Sequence, residues 1–148
     1  NTALQVDLRG QVNATMGPPE RGRISSPGGQ VEFMSGAARS KGGKAIIALR
    51  STVHSGETSA IALDLYPGPI TTPHESVTHV VTEYGIASLA GKNEKQRAIA
   101  LINIAHPKFR RELAQKMVDR KQLTQSDLTK INFDVAEIPP DKVKVEAQ

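Results

Sequence analysis

Cysteine is absent from this 148-residue chain, so disulfides and thiolate chemistry are excluded, and the composition is compatible with a reducing cytoplasm, the expected location. Tryptophan is absent too, and Phe and Tyr bring the aromatic share to only 3%. The stacking platforms that nucleic-acid binders use are therefore scarce. No apolar run reaches membrane-spanning length, nothing at the start is laid out as a signal peptide, and no internal repeat is visible. Neither a membrane nor a nucleic acid is an expected partner. Histidines are few: His74-Glu75 and His79 supply metal-ligand types, but His74 and His79 lie five apart in strand-like sequence after Pro73. Odd spacing there sends side chains to opposite faces, so no metal site is expected.

What is present suits one globular domain, with 38% hydrophobic and 23% charged residues. The formal charge of +4 is dispersed along the chain, and a modest positive field attracts small phosphorylated molecules as well as nucleic acid. Leu4, Val6 and Leu8 alternate with Gln5, Asp7 and Arg9 as a half-buried strand, which turns at Arg9-Gly10 into Gln11 to Thr15 as a hairpin. Residues 17 to 27 are rich in Gly, Pro, Ser and Arg and form a loop. Val31, Met34, Ala37 and Ala38 recur at helical spacing up to a stop at Gly42-Gly43. Ala45 to Leu49 is continuously apolar, the mark of a strand buried on both faces of a parallel sheet. Ile61, Leu63 and Leu65 alternate through another strand, Pro67-Gly68-Pro69 breaks it, and Val77 to Thr82 forms one more. Asn93 with Gln96 caps a helix whose stripe is Ala98, Leu101, Ile102 and Ala105, ending at His106-Pro107. Phe109, Leu113 and Met117 line a second helix, and Thr124 to Asp127 caps a short third. The fold class expected is α/β, an open, mostly parallel sheet flanked by helices.

The chemistry-bearing stretch is Ser26-Pro27-Gly28-Gly29-Gln30-Val31-Glu32-Phe33. A glycine pair lets the backbone approach a ligand closely, and the helix start behind it offers unpaired N–H groups that suit an anion or oxyanion. Taken alone, Pro27-Gly28-Gly29 reads as a plain turn, and it is the motifs around it that turn the reading toward a ligand site. The segment Gly36 to Lys44 has the outline of a phosphate-binding loop but holds Lys41 where glycine is required and Ala45 where Ser or Thr is required, and it precedes a strand.

Three blocks, in order and spacing, resemble the C-terminal half of the acetyl-CoA hydrolase/transferase family, which includes acetate, succinate and 4-hydroxybutyrate CoA-transferases. The first is Asn1 to Asn13 with Gly28-Gly29-Gln30-Val31-Glu32-Phe33 and Gly42 to Leu49. The second is Thr71-Thr72-Pro73 with Val80-Val81-Thr82-Glu83-Tyr84-Gly85. The third runs from Gly91-Lys92 through Arg97-Ala98 to Ile104-Ala105-His106-Pro107 and Phe109-Arg110. The resemblance implies a CoA-transferase-like (NagB/RpiA-like) half over residues 1–133, an extended tail over 134–148, and an N-terminal catalytic half outside this chain. Asn1 without a preceding Met agrees with a fragment.

By the same resemblance, a glutamate outside the chain attacks the acyl-CoA thioester and gives a glutamyl-CoA thioester, from which a small carboxylic acid accepts CoA. Gly29 would help form the oxyanion hole through its backbone N–H, with Ser25, Ser26, Gly28 and Gln30 beside the acyl and pantetheine end of CoA. Coenzyme A is then a substrate, no covalently bound cofactor is implied, and the expected partners are acyl-CoA, a small carboxylic acid, the N-terminal half and further copies of the protein. Glu83 belongs to a different motif and is expected to tie a strand end to a helix start. The pattern is departed from at Ser26-Pro27, where Gly-x-Gly-Gly is frequent, at His74, where Arg often follows Thr-Thr-Pro, and at Arg50, where Pro is common. Hydrolysis of the glutamyl thioester by water is the same-class alternative. A non-catalytic basic module for nucleotide or nucleic acid is the alternative of another class. The isolated chain is expected to be inactive.

Overall fold

A buried carboxylate shapes the first turn of the chain. In a computed structural model, described for residues 1–17, 21–65, 68–139 and 142, β1 (Gln5–Asp7) pairs antiparallel with β2 (Val12–Asn13). Asp7 is fully buried, and its oxygens accept the N–H groups of Arg9 (3.0 Å) and Gln11 (2.9 Å) and the side-chain amide of Gln11 (2.7 Å). Gly10 completes the turn at φ 95°, where an added Cβ would meet Leu89 at 2.9 Å. The hairpin is the expected one. Its alternation is not, because N–H donors replace water around Asp7 and let it join Val6 and Leu8 inside.

The remaining strands are short: β3 (Ile46–Ala48), β4 (Thr52–Val53), β5 (Thr58–Ser59), β6 (Ile61–Ala62), β7 (His79–Thr82) and β8 (Gly85–Ser88). They assemble as β2-β1-β6, β3-β7-β8 and β4-β5. Only β1/β6 and β3/β7 are parallel; β1/β2, β4/β5 and β7/β8 are antiparallel. The expected open, mostly parallel sheet is thus corrected to a mixed α/β arrangement of small sheets. Tight hairpins supply the antiparallel pairs, and the segment Glu83-Tyr84 turns β7 into β8 instead of leading to a helix. The alternation at Ile61, Leu63 and Leu65 yields only the two residues of β6 as strand. Pro67 of the expected break and Pro18-Pro19 of the loop lie outside the described residues.

Helix α1 (Gln30–Arg39) follows the glycine pair, and α2 (Glu94–Ile104) and α3 (Pro107–Asp119) follow the β7-β8 hairpin. Asn93 and Gln96 cap α2 reciprocally, at 2.9 and 3.1 Å. Ala98, Leu101 and Ile102 bury fully, and α2 packs on β7 and β8, meeting Ile47, Val80 and Ala87 in the core. The opposite face of β3 is not covered: Ile46 is 40% exposed and Ala48 is exposed, which corrects the expectation of burial on both faces. Leu113 and Met117 bury along α3 as expected, and so does Arg110 at 2% exposure. Its Nε donates to the Ala105 carbonyl at 2.9 Å and its Nη1 to that of Asn132 at 2.6 Å, with the Tyr84 ring 5.7 Å away. One guanidinium therefore clamps the end of α2, the start of α3 and the chain beyond Gln125–Lys130, a 3₁₀ turn. Of the expected tail, Ile138 donates its N–H to the Tyr84 hydroxyl at 3.0 Å, while 140, 141 and 143–148 lie outside the described residues. Among the described residues no helix is long and apolar enough to cross a membrane.

Two stability measurements test this packing. Arg110→Ala leaves two carbonyls without donors and opens a void, and urea unfolding should show a loss of about 2–4 kcal/mol. Asp127 accepts the Thr124 hydroxyl (2.7 Å) and N–H (2.9 Å) and pairs with Lys95 at 3.1 Å. The Thr124 bonds first, and Lys95 after them, hold its carboxyl well below the usual range. A depressed carboxylate stabilises the fold above the unfolded pKa of about 3.9 and loses that contribution as pH falls below it. Melting curves should therefore separate Asp127→Asn from the parent at pH 7 and converge as the pH is lowered below 3.9, near the unfolded value; a constant separation would contradict the linkage.

Candidate functional site

The glycine loop is pinned at both ends. Ile24 and Ser25 donate their N–H groups to the Thr15 carbonyl at 2.8 and 3.1 Å, which holds the loop to the end of β2. Ser25 and Ser26 are exposed; Ser25 Oγ donates to the Ser26 carbonyl at 3.1 Å, and Ser26 Oγ accepts the Gly28 N–H at 3.4 Å. Gly28 has φ 53°, in the left-handed region that favours glycine. Gly29, the N-cap of α1, has φ −96° and ψ 26°, which any residue adopts. The conformational demand thus falls on Gly28. At Gly29 an added Cβ would meet the exposed Phe33 ring at 3.4 Å and Glu32 Oε2 at 3.9 Å.

Among the described residues, no acceptor takes the N–H of Gly29, Val31 or Glu32. These donors lie together at the positive end of the α1 dipole, an arrangement that favours an anion or a developing oxyanion. Ser25, Ser26, Gly28 and Gly29 make one continuous rim. Gln30 departs from it: its side chain is buried, with Nε2 donating to the Thr2 carbonyl at 2.9 Å and Oε1 accepting from the Thr72 hydroxyl at 2.7 Å. Both ends of that amide are occupied, and the Gln30 N–H donates to the Pro27 carbonyl at 3.3 Å, so Gln30 offers no free N–H to a ligand either.

A second feature escaped the sequence analysis. Beyond the carboxyl ends of β3 and β7, where ligands settle on α/β sheets, lies a cleft of about 780 Å³ lined by Leu4, Arg21, Arg50, His54, Glu83 and His106 among others. Glu83 accepts the Ser51 N–H at 2.9 Å and the Ser51 hydroxyl at 2.7 Å, so it ties the end of β7 to the chain after β3. A structural tie was expected, although to a helix start. Neither Arg21 nor Arg50 has a carboxylate partner among the described residues. The turn at the cleft wall is strained, with His54, Ser55 and Gly56 at φ 51°, 56° and 93°. Neither that strain nor the convergence of Arg21 with Arg50 leaves a local mark in sequence.

The histidines of the rejected metal motif do not converge: His74 Nε2 lies 3.2 Å from Glu75, and His79 Nδ1 lies 2.8 Å from the Thr78 hydroxyl. Among the described residues no three metal-binding side chains cluster.

Residues 1–117 match the acetyl-CoA hydrolase/transferase C-terminal domain. The chain belongs to this family. It is 51% identical over 122 residues to the 4-hydroxybutyrate coenzyme A transferase of Clostridium kluyveri, covering 81% of this chain and 28% of that protein. Among solved structures, RipA from Yersinia pestis aligns at a TM-score of 0.73 and 39% identity, over 83% of this chain and 27% of that one. The 4-hydroxybutyrate CoA-transferase of Porphyromonas gingivalis aligns at 0.63 and 40% identity, over 81% and 26%. The chain thus spans about a quarter of the length of the relatives it matches.

The dihedrals separate the glycines experimentally. Gly28→Ala forces a side chain into the left-handed region and should cost about 1–2 kcal/mol. Gly36→Ala, in the exposed middle of α1 with nothing within 4 Å of the new Cβ, should instead stabilise by about 1 kcal/mol. Urea unfolding of both variants beside the parent reads the difference, and equal effects would contradict the assignment of the strained position.

Proposed function

We propose that this chain is the C-terminal part of an enzyme that moves coenzyme A between an acyl-CoA and a small carboxylic acid. The observation that carries the proposal is a glycine rim with uncommitted N–H donors, at Gly29, in a chain whose family relatives are CoA-transferases. A glutamate from the part of the protein outside this chain attacks the thioester carbonyl. Negative charge builds on the carbonyl oxygen, and the Gly29 N–H donates to it, assisted by the α1 dipole. Collapse expels the CoA thiolate and leaves a mixed anhydride. The thiolate then attacks the glutamyl carbonyl of that anhydride, releasing the first carboxylate and forming the glutamyl-CoA thioester, from which the second acid takes CoA by the reverse sequence.

Gly28 allows the backbone to turn so that the Gly29 N–H faces outward, and Ser25 and Ser26 line the approach of the acyl and pantetheine groups. Arg21 and Arg50, which have no carboxylate partner among the described residues, give the neighbouring cleft positive charge that attracts anionic substrates toward the rim. The same proposal holds a NagB/RpiA-like half for the fold, a cytoplasmic homo-oligomer for the assembly and an inactive isolated chain. Water in place of the second acid would make the enzyme a hydrolase.

The test removes the donor itself. In the intact protein, Gly29→Pro deletes the N–H while moving φ from −96° toward the proline value of about −65°, and turnover of acyl-CoA with a carboxylic acid should fall roughly a hundredfold or more. Binding of CoA should weaken far less, because the bond matters most in the transition state. Gly36→Ala is the control that should retain activity, with a melting curve confirming the fold of each variant. Unchanged turnover in a folded Gly29→Pro protein would return the glycine pair to the role of a turn, and free carboxylate and CoA produced without an acceptor acid would identify hydrolysis.

A further inference from the structure

Part of the cleft beyond β3 and β7 is built by sequence outside the family match, which ends at residue 117. Ile138 lines the cleft with Leu4, Ile24 and Val53, an apolar set, while Arg21 and Arg50 bring positive charge to it. The segment that carries Ile138 runs without helix or strand from Asn132 to Pro139, and it is held at intervals. The Asn132 N–H donates to Asn103 Oδ1 at 2.8 Å, and its carbonyl accepts from Arg110 Nη1 at 2.6 Å. The Phe133 ring packs against the core and lies 4.7 Å from the Arg111 guanidinium. At the far end the Ile138 N–H donates to the Tyr84 hydroxyl at 3.0 Å. Pro139 follows directly and disfavours helical backbone at Ile138, so the segment arrives at the cleft as extended chain.

We infer that Ile138 is a specificity-determining residue of the proposed transferase: its side chain limits how bulky the hydrocarbon of the carboxylic acid can be, and Tyr84 is the positioning residue that holds it in place. The inference rests on the proposal that the cleft receives the anionic substrates of CoA transfer. Arg21 and Arg50 attract the carboxylate, and the hydrocarbon attached to it then lies against the apolar set. Hydrocarbon gives up no hydrogen bond to water in such a place, whereas a charged group against Ile138 would lose its hydration without a partner. The acid fits this side of the cleft better than the pantetheine arm of CoA does. That arm carries two amides, each of which needs a partner when buried, and the side chains of Leu4, Ile24, Val53 and Ile138 offer none.

The anchors explain why one side chain can gauge the acid. Tyr84 presents its hydroxyl from a ring already placed by two neighbours, His106 edge-on at 5.3 Å and the Arg110 guanidinium at 5.7 Å. His106 itself lines the cleft, so the ring that holds Ile138 is continuous with the cleft wall. Asn132 fixes the other end through the buried Arg110. The Arg111 pair with Asp134, at 3.9 Å between side chains 74% and 98% exposed, adds little to this hold. Both strong anchors, at Asn132 and at Ile138, are made by backbone atoms. The side chain at 138 takes no part in its own anchor, and a change there alters the bulk of the wall without releasing the segment.

The test compares two acids, butyrate and cyclohexanecarboxylate, on the full-length protein. Transfer of CoA to each is measured as kcat/KM, and the binding of each is measured by NMR titration without an acyl-CoA present. Ile138→Ala should raise the ratio of cyclohexanecarboxylate to butyrate roughly tenfold in both readouts, because the bulky ring gains room while the straight chain loses a contact. Ile138→Trp should lower the ratio. Tyr84→Phe keeps the ring and removes only the acceptor of the Ile138 N–H, and it should move the ratio in the same direction as Ile138→Ala. A ratio taken on one protein cancels any loss of folded or active fraction, so a merely structural role at 138 would leave it unchanged. Ratios within about twofold of the parent in both position-138 variants would overturn the inference. A changed KM for CoA with a fixed acid ratio would also overturn it, by placing pantetheine against Ile138, and so would a protein that binds neither acid. Shifted binding ratios in a protein that transfers no CoA would count against the proposed function and leave this inference standing.

Discussion

The buried amide of Gln30 gives the glycine rim its place. Its two ends reach the Thr2 carbonyl and the Thr72 hydroxyl, which belong to the edge strand and to the segment paired with Val12. That junction joins the Thr15 bonds of the loop and the buried Met34 of α1 in fixing where the donors at Gly29, Val31 and Glu32 sit. A single neutral side chain can do this because both of its hydrogen-bonding ends are satisfied in a site where an unpaired polar atom is costly. The Thr71-Thr72 pair works on the same joint, with Thr71 Oγ1 accepting the Ala14 N–H at 2.9 Å.

Carboxylates are used in a related way. Asp7 meets backbone and amide N–H groups, Glu83 meets Ser51, and Asp127 meets Thr124. Each closes a turn or joins two chain segments, so these acids are spent on architecture. Among the described residues Arg21 and Arg50 of the cleft beyond β3 and β7 have no salt-bridge partner, and Glu83 on the same cleft is engaged by Ser51. Arg110 is the counterpart on the basic side: it is buried with carbonyl partners instead of a carboxylate, and its role is to clamp three segments.

The N–H rim, the arginines of the cleft and the exposed face of the β3-β7-β8 sheet together describe an unfinished surface. That matches a chain covering about a quarter of its relatives' length. The reaction proposed for it divides in the same way, with charge stabilisation on this side and covalent chemistry on the other.

Local rules carried the reading of the helices a long way. The Asn93 and Gln96 cap, the α2 stripe, the stop before Pro107 and the helix after the glycine pair are all decided within a few residues by hydrogen bonding, periodicity and the missing N–H of proline, and the structure places them where those rules do. The order of the motif blocks was enough to identify the family, and the glycine pair marked the rim. Burial and pairing were not legible in the same way. Alternation put Asp7 at the surface, and the α3 stripe gave no sign that Arg110 is buried, because a sequence does not state which donors and carbonyls will gather around a charge; the continuous apolar run at 45–49 could not show that only one of its faces is covered here. The conformational cost sits on Gly28, the side chain of Gln30 turns inward, and Arg21 joins Arg50 across the cleft, because these depend on contacts between segments far apart in the chain. The sequence by itself determined the helices with their caps and the family, and it named residues to consider for a site; only the tertiary structure decided how the strands pair and which atoms remain free, since a hydrogen bond used inside the fold is no longer available to a ligand.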